Sequence, residues 1–402
     1  MRTNFCLVTL MALPDCSVVC GQEPDPAKLV RDLGSPRFAV REAAEQKLVA
    51  LGSKAKAAVV AGTKDADSEV ARRCEAIVPK IRAAERKALI EGTIDWPAPA
   101  GTRFRNLVGD TKEARKLFAL MTGDDRLAAL VDAAADDPAG AAKLYAAEAA
   151  RLVAALKRAH DAPGLLPRAA TREHVLAFQR ETHRVAVSTA DVLLVLYLGS
   201  FALPDGAPDP PEVAKLLGPT FFDLATGAEQ RPFAKLFAAW LGRRRDPESV
   251  QSGLEAAVIA DLPEAAPTAR RVAADPEASA TAAGTAVLIL GRHGTRQDLA
   301  LLSALRADSR LFTVLDARPG GTLECEVRAL ATASSLALRG QDVSNWLAVR
   351  NWTVWWANPQ HRPVKVPAGS SEANVRLAAV AKAWDWLDQQ PGAPPKPARS
   401  GR

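Results

Sequence analysis

Residues 40–52 read VREAAEQKLVALG, in which Val40, Ala44, Leu48 and Leu51 are the residues that share one side if the stretch is helical. Gly52 follows as the residue type that ends such a helix. The same frame, offsets 0, +4, +8 and +11, recurs at Val70, Cys74, Val78 and Ile81, at Ala278, Ala282, Ala286 and Ile289, and at Val327, Ala331, Ser335 and Leu338. Ser335 is the one polar member. Each copy is expected to bury this face against a neighbouring helix, so the stretch reads as one unit of a repeat.

The flanks of the frame sharpen the reading. Glu69 and Glu326 stand just before Val70 and Val327, where an acid favours a helix N-terminus. Gly52, Gly291 and Gly340 are read as closing three of the four copies. The stretches LGSPRFAVREAA (33–44), SEVARRC (68–74) and CEVRALA (325–331) resemble the second helix of HEAT-like repeats, over about residues 26–92 and 212–342. That resemblance implies an all-α fold, a right-handed α-solenoid of HEAT-like helical hairpins. The spacing departs from the family pattern: Val40 to Val70 is 30 positions and Ala278 to Val327 is 49, against roughly 40–47 for a regular unit.

The longer gap holds FTVLDARPGGTLECEV (312–327), two β-favouring stretches around Arg318-Pro319-Gly320-Gly321, which predicts one short inserted β-hairpin. Residues 111–203 read as four or five helices broken at Asp136-Asp137-Pro138, Ala162-Pro163-Gly164 and Ser188. Pro204–Pro211 reads as a loop and Pro391–Arg402 as a Pro-rich tail. The expected organisation is a leader (1–21), N-terminal repeats (26–95), a central helical segment (96–203), C-terminal repeats (212–345), a Trp-rich capping segment and helix (346–390), and the tail (391–402).

Composition fits a helical chain with a large core. Of 402 residues 48% are hydrophobic, yet no apolar run approaches the ~18 residues of a membrane span. Net charge is +6, but 52 basic and 46 acidic residues are interleaved, so nucleic acid is not an expected partner. The tight cluster Arg243-Arg244-Arg245 reads as a helix end. Arg2, the apolar run Phe5–Leu13 and the segment up to Gly21 resemble a secretory signal peptide cleaved near Gly21, which implies an exported, periplasmic or extracellular protein. Acylation of Cys20 would call for a smaller residue than Val19 before it. Only Cys74 and Cys325 remain beyond the leader, too few for a disulfide framework. Both read as inert apolar-face residues.

Catalytic signatures are missing from the sequence. No H-E-x-x-H, C-x-x-C, G-x-S-x-G or phosphate-loop pattern occurs, and His174 and His183, nine positions apart, fall on opposite sides of their helix. No cofactor or metal is expected. Ser370 or Ser371 reads as a helix N-cap.

Six of the eight tryptophans crowd the end of the chain, at 346, 352, 355, 356, 384 and 386. The offsets +2, +5, +6 and +9 give a mainly wet face in the first copy (Glu42, Glu45, Gln46, Val49). They give a small, apolar one in the third (Ala280, Ala283, Gly284, Val287) and a nearly uncharged one in the fourth (Ala329, Thr332, Ala333, Leu336). A helix with no charged face is buried on both sides. Either Trp352, Trp355 or Trp356 covers Ala280, Ala329 and Ala333, or these residues line a groove for a partner. The leading expectation is a non-enzymatic exported scaffold that binds another protein or an envelope component. The alternatives are a HEAT-like nucleic-acid-acting or chromophore-lyase protein, and envelope glycan binding through the Trp-rich region.

Overall fold

The computed structural model describes residues 24–161, 172–201, 210, 212–315, 322–352, 364–367 and 373–390. The expected leader (1–21), the expected tail (391–402), Trp355, Trp356, Ser370, Ser371 and most of the stretch 204–211 expected as a loop lie outside the described residues. The fold is all-α, with eighteen α-helices and few strands among the described residues. It divides into two compact units at Ala88/Leu89. Residues 96–203 and 212–345 both fall in the second unit, Leu89–Arg402.

The first unit contains α1 (Pro26–Asp32), α2 (Phe38–Leu51), α3 (Ser53–Gly62) and most of α4 (Ser68–Glu91). Its core draws on all four: Leu29 and Val30 from α1 with Leu33 just after it, Ala44 and Leu48 from α2, Ala55 and Val59 from α3, and Val70, Cys74, Ile77 and Ile81 from α4. Gly52 has φ +56° and joins α2 to α3 as a single residue, a conformation that disfavours a side chain. Two corrections to the frame appear here. In α4 the buried position is Ile77 where the frame expected Val78, because offsets 0, +4, +7 and +11 follow the 3.6-residue period more closely than 0, +4, +8 and +11. Val40, Leu51 and Val78 are only half-buried. The wet face of α2 is also less free than expected: Arg73 donates to Glu42 (3.0 Å) and Glu45 (3.3 Å) as well as to Glu69 of its own helix (2.6 Å). Arg72 and Arg73 hold the Glu69 carboxyl down to about 2.

The second unit runs through α5 (Ala100–Val108), α6 (Lys112–Met121), α7 (Asp125–Asp136), α8 (Ala141–Asp161), α9 (Arg172–Ala186) and α10 (Thr189–Gly199). It continues through α11 (Pro219–Thr226), α12 (Gln230–Arg243), α13 (Pro247–Ala260), α14 (Ala266–Ala273), α15 (Ala280–His293) and α16 (Leu299–Ala304), then α17 (Val327–Leu338) and α18 (Ala373–Asp388). The sequence TADVLLVLYLG of α10 is apolar all round, and the fold answers by surrounding it: Val192 to Gly199 are all buried among α6, α7, α8, α11 and α12. Ser188 and Asp191 start it with a reciprocal capping box. At 11 residues α10 falls far short of the ~20 needed to cross a bilayer. No helix among the described residues is long and apolar enough to do so.

The expected hairpin is present. Strands β1 (Leu311–Leu315) and β2 (Thr322–Glu326) pair antiparallel with Phe312 opposite Cys325. Phe312 is buried over Gly284 of α15, where a Cβ would come within 2.2 Å of the Phe312 ring. A second two-stranded ladder, β3 (Val349–Trp352) with β4 (Val364–Pro367), corrects the expectation of a single hairpin. Gly291, read as a helix stop, sits inside α15 and lets α17 approach: a Cβ there would meet Ser334 Oγ at 2.4 Å. Gly340, with φ +73°, does follow α17 as a helix-ending glycine.

Candidate functional site

The surfaces singled out from sequence do not come together. Ala280 is half-buried at the start of α15 and packs on the main core, whereas Ala329 and Ala333 belong to a separate apolar cluster with Leu336, Leu347, Val380, Ala383, Trp384 and Leu387. The cover over Ala329 and Ala333 is thus supplied by α18 and Leu347, and the two alanines line no open groove. Trp346 and Trp386, half-buried, pack on this cluster with ring centroids 5.2 Å apart. Trp352 ends β3, and its side chain, like Trp355 and Trp356 entirely, lies outside what is described. Helix α18 packs on α17 through Val380, Ala383, Trp384 and Leu387.

The arginine cluster resolves into a structural element. Arg243 ends α12, and Arg244 is fully buried, stacked 4.8 Å from the centroid of Tyr145 and 5.2 Å from that of Trp240. A phosphate-binding patch built on these three arginines would need Arg244 at the surface.

A half-open pocket of about 520 Å³ is formed within the second unit, within the range of small-molecule sites. One wall is α13, whose Ser252, Glu255, Ala256 and Ile259 share a face at helical spacing. Another is α9, through Phe178, Gln179, Arg180 and His183. The end of α8 brings His160, and the 3₁₀ turn Val213–Leu216 with the start of α11 brings Ala214, Lys215, Leu217, Gly218, Pro219 and Phe222. The walls are fixed in place by local bonds. Arg184 on α9 pairs with Asp223 on α11 at 3.0 Å, and Thr220 Oγ1 donates to the Val187 carbonyl at 2.9 Å.

His183 is 5% exposed and its ring lies hard against Gly218, where a Cβ would be 2.2 Å from Nε2. Nε2 is 3.3 Å from the Lys215 carbonyl, which can only accept, so Nε2 carries the proton. Burial, with lesser contributions from His160 and Arg184, pulls the His183 pKa down despite that bond, so the ring is neutral near pH 7. Nδ1 is enclosed and has no hydrogen-bond partner. The imidazole is thus a packed wall element. Glu255 is the other perturbed group: burial pushes its carboxyl pKa up, opposed by a bond of 3.1 Å from the Gln251 amide. No hydrogen bond links Glu255 to His183 among the described residues.

No family model, curated protein or solved structure matches the chain. The assignment therefore rests on geometry. Sequence reasoning missed this cavity. The sign that could have found it is Glu255 itself, a lone acid in the otherwise apolar run SGLEAAVIA (252–260). Among the described residues no cluster of three His, Cys, Asp or Glu side chains could hold a metal ion.

Proposed function

We propose that this chain is an exported helical-repeat scaffold of the HEAT-like kind that holds another protein or an envelope component and performs no reaction of its own. The observation that carries the reading is in the first unit. In α2 and α4 the +4 position of the frame, Ala44 and Cys74, is buried in one core shared with α1 and α3, to which Leu48 of α2 and Val70, Ile77 and Ile81 of α4 also contribute. A chain built by repeating a helical hairpin gains surface for docking with each added copy.

The state of the ionisable groups supports binding over catalysis. Glu148 joins α8 to α7 through Arg126 and pairs with Arg151 on its own helix, Asp298 is held by Arg270 of α14, and Glu69 pairs with Arg72 and Arg73 within α4. Glu255 and His183, in the cavity of the second unit, each have a partner other than the other. A proton relay needs such groups within hydrogen-bond reach.

The test is crosslinking of the native chain in its own envelope, with N-terminal sequencing of the exported form. The expected result is a mature terminus near Gly21 and one reproducible partner at native abundance. An intact leader, or turnover in an unbiased substrate screen with no partner recovered, would overturn the proposal.

A further inference from the structure

The cavity of the second unit makes a demand that the chain itself does not meet. Phe178, Leu217, Phe222 and Ile259 give it an apolar lining, and Glu255 places a carboxyl among them. The cationic side chains of the same walls are already engaged: Lys215 pairs with Glu212 at the surface, and Arg180 is not without a partner either. His183 is used against the Lys215 carbonyl, and His160 is exposed at the end of α8. Glu255 has only the neutral amide of Gln251, one turn earlier on its own helix. Ser252, three positions before Glu255 on the same face, adds a hydroxyl acceptor beside it.

We propose that this cavity binds an amphipathic organic amine, its ammonium seated on Glu255 with Ser252 and its aromatic or branched apolar body against Phe178, Phe222 and Ile259. A half-buried carboxyl in a largely apolar, half-open pocket is less readily ionised alone and more readily ionised beside a cation. Where Glu255 starts protonated, binding therefore releases its proton to solvent and forms the carboxylate–ammonium pair, which balances charge. An anionic ligand would instead meet Glu255 with no group left to neutralise it. The inference stands apart from the scaffold reading, and either can fail alone.

The experiment is calorimetric titration of the full chain with three probes of one shape: tryptamine, the neutral tryptophol and the anionic indole-3-propionate. Tryptamine is expected to bind about ten-fold or more tighter than tryptophol, the margin of a charge-assisted hydrogen bond. Glu255→Gln should erase that margin. The carboxyl ¹³C resonance of Glu255 in the unaltered chain supplies a second readout, independent of whether the variant folds: tryptamine should move it towards the ionised position. Equal affinity for tryptamine and tryptophol, tighter binding of indole-3-propionate, an unmoved carboxyl resonance, or no saturation by any probe at millimolar concentration overturns the proposal.

Discussion

Arg244 Nη1 donates to Tyr145 Oη at 2.7 Å across 99 positions of sequence, and both side chains are fully buried. Around that bond the same guanidinium donates to the Gly199 carbonyl (2.6 Å) and the Trp240 carbonyl (3.2 Å), and Trp240 Nε1 donates to Tyr145 Oη at 3.1 Å. Gly199 allows the approach, since a Cβ there would lie 2.5 Å from Trp240. One charged side chain thereby locks α8, α10 and α12 in register.

Tyr145→Phe should cost about 1.5–3 kcal/mol, because it removes a bond to a charged donor and leaves that donor buried. Arg244→Met should cost more, since it also strands the Gly199 carbonyl. Urea unfolding followed by circular dichroism measures both. A loss under half the lower figure for Tyr145→Phe would show that water replaces the hydroxyl.

In the first unit, Leu48→Ala is expected to lose about 2–5 kcal/mol, the range for a fully packed leucine whose cavity cannot collapse. Leu48 is 0% exposed, among Leu33, Ala44, Val59 and Cys74 in the same cluster. The neighbouring Gln46→Ala, at an exposed position of the same helix, should change stability little and serves as the control.

Acid stability should depend on Glu148. Burial works against its charge, but Arg151 and Arg126 overcome that and leave the pKa below the usual carboxylate range. The folded state thus binds this proton less readily than the unfolded state. Its contribution is present above the unfolded pKa near 4.5 and is lost as pH falls through the lower folded value. Glu148→Gln should lower stability at pH 7 and flatten the acid limb of a melting-temperature series. An acid limb as steep as that of the unaltered chain would assign acid sensitivity to other carboxylates.

Cys74 and Cys325 should both resist thiol reagents in the folded state. Cys74 is 0% exposed and Cys325 is 1% exposed; burial raises both thiol pKa values, that of Cys325 to about 12. A buried thiol held protonated is a poor nucleophile. Peptide mapping after brief labelling should find neither modified without denaturant and both modified with it.

Much of the fold was legible because it depends on local periodicity. VREAAEQKLVALG, the apolar α10 and the hairpin around Pro319 each announce themselves within a few residues, and Ser188, read as a break between helices, is the N-cap of α10. What escaped depends on long-range meetings. Nothing near Arg244 predicts Tyr145, and nothing near Glu255 shows that α9 and α11 complete a cavity opposite it. Residue type also misled where one type serves two purposes, as at Gly291. A glycine can end a helix through its backbone freedom or admit a neighbour through its missing side chain, and sequence alone does not separate the two.

Gly291 and Gly340 allow that distinction to be measured. At Gly340, φ is +73° and nothing lies within 4 Å of where a Cβ would stand, so Gly340→Ala should cost about 1–2 kcal/mol through backbone strain alone. At Gly291 the backbone is helical, and alanine would gain up to about 1 kcal/mol in helix propensity were the position open. It is closed: the new Cβ would stand 2.4 Å from Ser334 Oγ, 2.7 Å from its Cβ and 3.0 Å from its Cα. Overpacking of that kind costs about 1–3 kcal/mol and outweighs the propensity gain. Ser334→Gly removes the first two of those atoms, so the double variant Gly291→Ala with Ser334→Gly should be more stable than the sum of the single changes predicts. No comparable coupling is expected between Gly340→Ala and Ser334→Gly. Additive energies in the Gly291 cycle would mean that the close approach of α15 and α17 is not what selects glycine there.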